Sequence, residues 1–283
     1  MLHHERLRPP SHHYPADEWN VIEKAFHPEF LAQLETMSAL GNGYLGMRGC
    51  PEEGGPYAEN GTFINGFYET RPIEYPEEAY GFAKTGQTIC NVTDSKIIKL
   101  FVDDEPFWLP NAHFLKYDRR LNMKSGTLDR EFIWETPAGK QVSITSRRLV
   151  SFANRHVAAI SYCVTLLNAQ AFVVISSEMA TNEASAGDSG ADPRLARALP
   201  GRVLHPRASY SKDRRIVLCH ETERSRFTLA CATDTALEGS CPHSCKVVNT
   251  TDFGQVAFTI DAQPGCSLHL TKYLVYHTSQ TVS

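Results

Sequence analysis

From about residue 95 onward, apolar and polar positions alternate in short runs that stop at turn-forming residues, the period-two signature of strands burying one face. Ser95 to Val102 is apolar and β-branched and ends at Asp103-Asp104, which reads as a turn. In Thr127 to Glu135, Leu128, Phe132 and Trp134 fall on one face and Asp129, Glu131 and Glu135 on the other. Thr136-Pro137-Ala138-Gly139-Lys140 turns the chain, and Gln141 to Val150, His156 to Leu167 and Ala171 to Glu178 continue the meander. A Gly, Asp and Ala-rich loop at Thr181 to Pro193 is the expected site of disorder. Strands then resume at Arg215 to Glu221, Arg226 to Thr233, Cys245 to Val248, Val256 to Ile260 and Ser267 to Tyr276. No long helical period competes; Phe30 to Leu40 reads as a short helix or an extended lead-in. The pattern predicts an all-β chain, a large antiparallel β-sandwich of two stacked sheets in one domain, with no internal repeat.

Residues 41 to 88 break this rhythm. They carry Gly41-Asn42-Gly43-Tyr44-Leu45-Gly46-Met47-Arg48-Gly49, Asn65-Gly66-Phe67-Tyr68-Glu69-Thr70-Arg71-Pro72 and Tyr80-Gly81-Phe82-Ala83-Lys84-Thr85-Gly86-Gln87-Thr88, with little regular apolar periodicity between them. The stretch reads as a long shaped loop. Glycines permit close backbone approach, and the aromatic, amide and arginine side chains offer flat faces and hydrogen-bonding edges suited to a sugar; the same composition also serves to turn and pin an ordered loop.

The order of these segments resembles glycoside hydrolase family 65, the group of maltose, trehalose and kojibiose phosphorylases and some disaccharide hydrolases. The matching stretches are His12-His13-Tyr14-Pro15 with Asp17-Glu18-Trp19, Ala39 to Gly49, Glu52-Glu53-Gly54, Thr62 to Pro72, Tyr80 to Thr88 and Val102 to Phe107. Fainter likeness runs through Ser125 to Leu128, Ser146 to Phe152 and Lys272 to His277. The resemblance implies a super-sandwich similar to those of sugar mutarotases over residues 1–270, with the last strand end and the start of a linker in 271–283. It also implies that the catalytic (α/α)6 barrel and its acid glutamate lie outside this chain, which is expected to be inactive alone.

The formal charge of −4 and pI near 6.3 give no electrostatic reason to expect nucleic acid, and Arg119-Arg120 and Arg147-Arg148 read as strand-face pairs. Met1 to Arg6 lacks the apolar core of a signal peptide and no run reaches membrane-spanning length, so the expected location is cytoplasmic. The eight cysteines are then expected as thiols. Cys241-Pro242-His243-Ser244-Cys245 offers one ligand pair where zinc sites use two, and His3-His4 and His12-His13 read as terminal side chains, so no metal is expected.

Gly41-x-Gly43-x-x-Gly46 has dinucleotide-fingerprint spacing, but Cys50-Pro51, Gly54-Gly55-Pro56 and Asn60-Gly61 interrupt the helix a Rossmann turn must open. The adjacent acids Glu52-Glu53, Glu77-Glu78 and Asp103-Asp104-Glu105 read as solvated loop residues. An inverting hydrolase needs an acid and a base about 6.5–9.5 Å apart, whereas phosphate can itself be the nucleophile. The resemblance implies this second chemistry: inverting phosphorolysis of an α-linked glucose disaccharide to β-glucose 1-phosphate, with inorganic phosphate as co-substrate, no cofactor, and a homodimeric parent. The expected contribution of this chain is a rim. Arg48 and Lys84 would face an anion or sugar hydroxyl, Tyr44, Phe67 and Tyr68 would stack or wedge, and Asn42, Asn65 and Gln87 would bridge. Two rivals remain open: an aldose 1-epimerase using His113 or His156 with a glutamate, and a non-catalytic carbohydrate-binding or dimerisation module.

Overall fold

The computed structural model describes residues 10–75, 77, 79–181 and 201–281; most of the loop expected at Thr181 to Pro193 lies outside them. Its strands are β1 (Asn20–Glu23), β2 (Leu40–Gly41), β3 (Leu45–Met47), β4 (Thr62–Pro72), β5 (Thr85–Asn91) and β6 (Ile98–Val102). They continue with β7 (Glu105–Pro106), β8 (His113–Asn122), β9 (Thr127–Glu135), β10 (Gln141–Val150), β11 (Val157–Leu166) and β12 (Ala171–Ala180). The last six are β13 (Leu204–Lys212), β14 (Arg215–Thr222), β15 (Thr228–Gly239), β16 (His243–Asn249), β17 (Phe253–Ala262) and β18 (Ser267–Thr278). One helix, α1 (Leu31–Met37), joins β1 to β2, so Phe30 to Leu40 is a short helix ending in a strand.

All pairing is antiparallel. Nine strands form one sheet in the order β1-β8-β9-β10-β11-β18-β15-β14-β13; five form β16-β17-β12-β6-β7 and four form β2-β3-β4-β5. Strict alternation drives the layering: Val142, Ile144 and Val150 of β10 and Ile160, Tyr162 and Val164 of β11 point inward and are buried. They join Ile98, Leu100, Val173, Ile175, Phe258 and Ile260 from the five-stranded sheet and Leu45, Ile64 and Phe67 from the four-stranded one in a single continuous core. The sandwich is thus all-β, with the large sheet in one layer and the hydrogen-bonded surface opposite it divided into two smaller sheets.

The stretch 41 to 88 is strand rather than loop over much of its length. Its alternation changes phase inside β4: Thr62 and Ile64 are buried, Asn65 and Gly66 are both exposed, then Phe67 and Glu69 are buried. A register shift between Phe63 and Tyr68 marks the irregularity, with Gly66 at φ 81°. A period-two reading fails across such a slip. β8 carries a similar shift between Phe114 and Lys116, and β13 is exposed along most of its length, so neither announces itself as a strand.

One cysteine pair departs from the thiol expectation. Cys241 and Cys266 form a disulfide, their Cα atoms 6.5 Å apart, because the Gly239–Leu268 register sets the segments after β15 and before β18 side by side. Cys245 is a free, exposed thiol on β16, so Cys241 and Cys245 do not act as a pair.

Candidate functional site

The adjacent acids Glu52 and Glu53 are buried, not solvated, at 1% and 2% exposure. Strand alternation on β9 and β10 sends Arg130 and Arg148 inward to meet them. Arg130 donates to both carboxylate oxygens of Glu53 at 2.9 Å and lies 2.7 Å from Glu52, while Arg148 Nη2 donates to the Cys50 carbonyl at 3.0 Å. Burial pushes the Glu52 carboxyl upward, but the Arg130 and Arg148 guanidiniums outweigh it and hold it below the usual carboxylate range. Each basic doublet is divided by its strand: Arg119 and Arg148 are buried, whereas Arg120 and Arg147 keep solvent contact and pair with Asp118 and Asp129. These acids anchor a loop; they do not open onto solvent as proton donors.

The eight rim candidates divide in the same way. Arg48 does not face a ligand: its Nε donates to the Glu59 carbonyl at 2.8 Å, its Nη2 to Thr36 Oγ1 at 3.0 Å, and it lies 3.6 Å from Glu35. The Glu35 carboxylate in turn accepts the backbone N–H groups of Ala58 and Glu59, so Arg48 fastens α1 to the 50–60 loop. Phe67 is fully buried, and Tyr68 packs edge-on against Phe227 with ring centres 5.0 Å apart. Lys84 and Gln87 are exposed at the connecting-loop end of the β4–β5 hairpin and do not line the cleft formed by the remaining three.

Asn42, Tyr44 and Asn65 meet in an open cleft of about 380 Å³ lined also by Gly43, Arg155, Thr278 and Gln280. Asn42 is its hinge post. Its side-chain oxygen accepts the Tyr44 and Leu45 N–H groups at 3.0 and 2.9 Å, and its amide donates to the Ser151 and Arg155 carbonyls at 2.6 and 3.1 Å. The β2–β3 hairpin is thereby tied to the β10–β11 turn. Tyr44 is a wedge, edge-on to His156 at 4.6 Å with the Arg155 guanidinium 5.2 Å from its ring centre. Asn65 donates to the Gly43 carbonyl at 3.1 Å.

The lining contains amides, the hydroxyl-bearing Tyr44 and Thr278 and one guanidinium, but no carboxylate and no histidine ring among the described residues. The epimerase reading asks for a His and a Glu across one sugar, and the structure does not supply it here. His113 lies 3.3 Å from Glu135 on the β8–β9 pair, whereas His156 binds the Tyr276 carbonyl through Nδ1 at 2.9 Å. Among the described residues no group of three His, Cys, Asp or Glu side chains is placed to hold a metal, and no helix is long and apolar enough to cross a membrane.

A family model for the N-terminal domain of glycosyl hydrolase family 65 matches residues 21–283. The chain belongs to glycosyl hydrolase family 65. An α,α-trehalose phosphorylase of Thermoanaerobacter brockii is 38% identical over 271 residues, which cover 94% of this chain and 35% of that protein. An uncharacterized glycosyl hydrolase of Mycobacterium tuberculosis is 37% identical over 265 residues, covering 93% of this chain and 33% of the relative. In fold, a provisionally named kojibiose phosphorylase from human microbiome superposes with a TM-score of 0.80 at 19% identity, over 97% of this chain and 34% of that one. The chain spans about a third of the length of the curated relatives it matches.

Within this family 65 domain, sequence reasoning found the hairpin side of the cleft and missed the other wall. Arg155 sits in the turn between β10 and β11 and Gln280 just beyond β18, 113 and 238 positions from Asn42 in a chain whose pairing alone brings them together. A polar residue at a strand end carries no signal of what stands opposite. Only the β10–β11–β18 pairing does that.

Proposed function

We propose that this chain is the non-catalytic N-terminal domain of a family 65 disaccharide phosphorylase that shapes the rim of the active site. The observation that carries the reading is the cleft: it gathers hydrogen-bonding side chains suited to sugar hydroxyls but, among the described residues, no carboxyl group able to protonate a departing glycosidic oxygen. The names of the trehalose and kojibiose phosphorylase relatives support an α-linked glucose disaccharide and inorganic phosphate as the substrates of the whole enzyme. Such a rim contributes by excluding water and fixing the acceptor sugar while a neighbouring domain supplies the acid.

Within this reading Asn65, Arg155 and Gln280 are the rim residues that touch sugar, Asn42 and Tyr44 position them, and Lys84 and Gln87 extend the rim along the exposed hairpin. The location is cytoplasmic and the assembly a homodimer, for which β5, an edge strand with Ile89 half exposed, offers a free flank. The test is kinetic. The full-length enzyme, given trehalose, kojibiose or maltose with phosphate, should release glucose 1-phosphate, and Asn65→Ala should raise KM for the sugar with KM for phosphate unchanged. This chain alone should release none; turnover by the purified chain would refute its non-catalytic role. Hydrolysis is the second reading, favoured by the name of the mycobacterial relative, and a full-length enzyme active without phosphate would establish it.

A further inference from the structure

The wall of the cleft formed by Arg155 is held ready before any ligand arrives. His156 is fixed as the Nδ1–H tautomer by donating to the Tyr276 carbonyl at 2.9 Å, which leaves its Nε2 lone pair to accept Arg155 Nε at 3.2 Å. His277 stacks on His156 with ring centres 4.8 Å apart and planes 15° from parallel. Tyr44 lies under the guanidinium from the other side. With Nε occupied and the plane supported, the two terminal nitrogens of Arg155 remain for the cleft it lines, as a fork whose ordering cost is already met.

Across from it stand two amides. Asn65 spends its N–H on Gly43, leaving its side-chain oxygen as an acceptor. Gln280 lies over Gly66, where an added Cβ would come 2.9 Å from its Oε1; the absent side chain is what gives the amide its seat. A neutral sugar hydroxyl both donates and accepts, so a pair of adjacent ring hydroxyls satisfies the Arg155 fork and both amides at once. A phosphate offers acceptors only, so it could take the Arg155 fork and the amide N–H groups but would leave the Asn65 oxygen without a donor.

We propose that this cleft is a binding site for a neutral saccharide, recognised through a vicinal diol by Arg155, Gln280 and Asn65. The volume of about 380 Å³ lies within the range of small-ligand pockets and accommodates one or two pyranose rings. This rests on the rim reading and deepens it, because it names the sugar feature recognised and assigns that recognition to this chain without a second domain.

The test is titration of the 283-residue chain with trehalose, kojibiose and glucose, and in parallel with inorganic phosphate, followed by calorimetry and amide NMR. Saccharide should bind in the millimolar range, about 4 kcal/mol, and shift the Gly43 backbone and the Asn65 and Gln280 side-chain amides. Arg155→Ala and Gln280→Ala, both at exposed positions, should each weaken binding roughly tenfold with unchanged thermal unfolding, as expected for lost hydrogen bonds. The proposal is overturned if these signals stay still at saccharide concentrations of about 50 mM, well above a millimolar Kd. It is equally overturned if phosphate alone moves them as strongly, or if both variants bind like the parent. None of these results touches the kinetics of Asn65→Ala in the full-length enzyme, so the two readings fail separately.

Discussion

Arg130 and Glu53, 77 positions apart in sequence, form a bidentate ion pair in the interior, with two bonds of 2.9 Å. The pair carries the 50–60 loop, and an unpartnered charge left behind in the core is far costlier than the pair is stabilising. Arg130→Met should therefore lower unfolding stability by about 3–5 kcal/mol in urea titration. Combining it with Glu52→Gln and Glu53→Gln should recover part of the loss, since the stranded charges go with it.

Arg48 lies in a segment that resembles a sugar-binding loop, yet its bonds all run to α1 and the 50–60 loop. Arg48→Ala leaves the buried Glu35 carboxylate short of a partner and should cost about 1–3 kcal/mol. In the full-length enzyme the KM values should hold at temperatures below the lowered Tm, whereas a changed sugar KM there would restore Arg48 to the rim.

Asn42 makes four side-chain hydrogen bonds that hold the hairpin to the β10–β11 turn. Asn42→Ala should lower stability by about 1–3 kcal/mol. Amide hydrogen exchange should accelerate at Tyr44 and Leu45, whose N–H groups lose their acceptor, while β12 and β17 of the five-stranded sheet stay protected.

Lys272 is fully buried, with its ammonium donating to the Ile97 and Glu178 carbonyls at 2.9 and 2.6 Å. Burial lowers its pKa from 10.5 to about 7. Between those values the unfolded chain binds the proton and the folded chain releases it, so this group makes stability rise with pH from about 7 toward 10. Burial acts oppositely on the neighbouring Cys231 thiol, pushed up to about 12, which costs stability once unfolded thiols ionise above roughly pH 8.5. The Lys272 contribution is thus cleanest between pH 7 and 8.5. Chemical denaturation across that window should show rising stability, and Lys272→Met should flatten the slope.

Where alternation is unbroken, the sequence reports the fold closely: β9 and β10 have the predicted bounds, and Leu128, Phe132 and Trp134 are buried as their parity requires. The same parity places Arg130 inward, yet a charged residue on an apolar face gives no hint of its distant partner. The site was legible by half. Asn42, Tyr44 and Asn65 share a composition that suggests sugar, but Arg48, Phe67 and Tyr68 share it too, and only the packing separates lining from framework. Arg155 and Gln280 stood outside any motif because strand pairing, which no local pattern encodes, makes them neighbours of Asn65.

The two consecutive exposed positions in β4 have a further consequence. Beyond them the faces of the strand trade places, so the number of residues between Ile64 and Phe67, and not only their identity, decides what the cleft sees. A relative one residue shorter at this point would alternate without a break from Ile64 to Phe67, keep both inward, and lose the paired exposure that turns Asn65 and Gly66 outward together. Insertions and deletions here are therefore the changes to watch when specificity drifts among such domains.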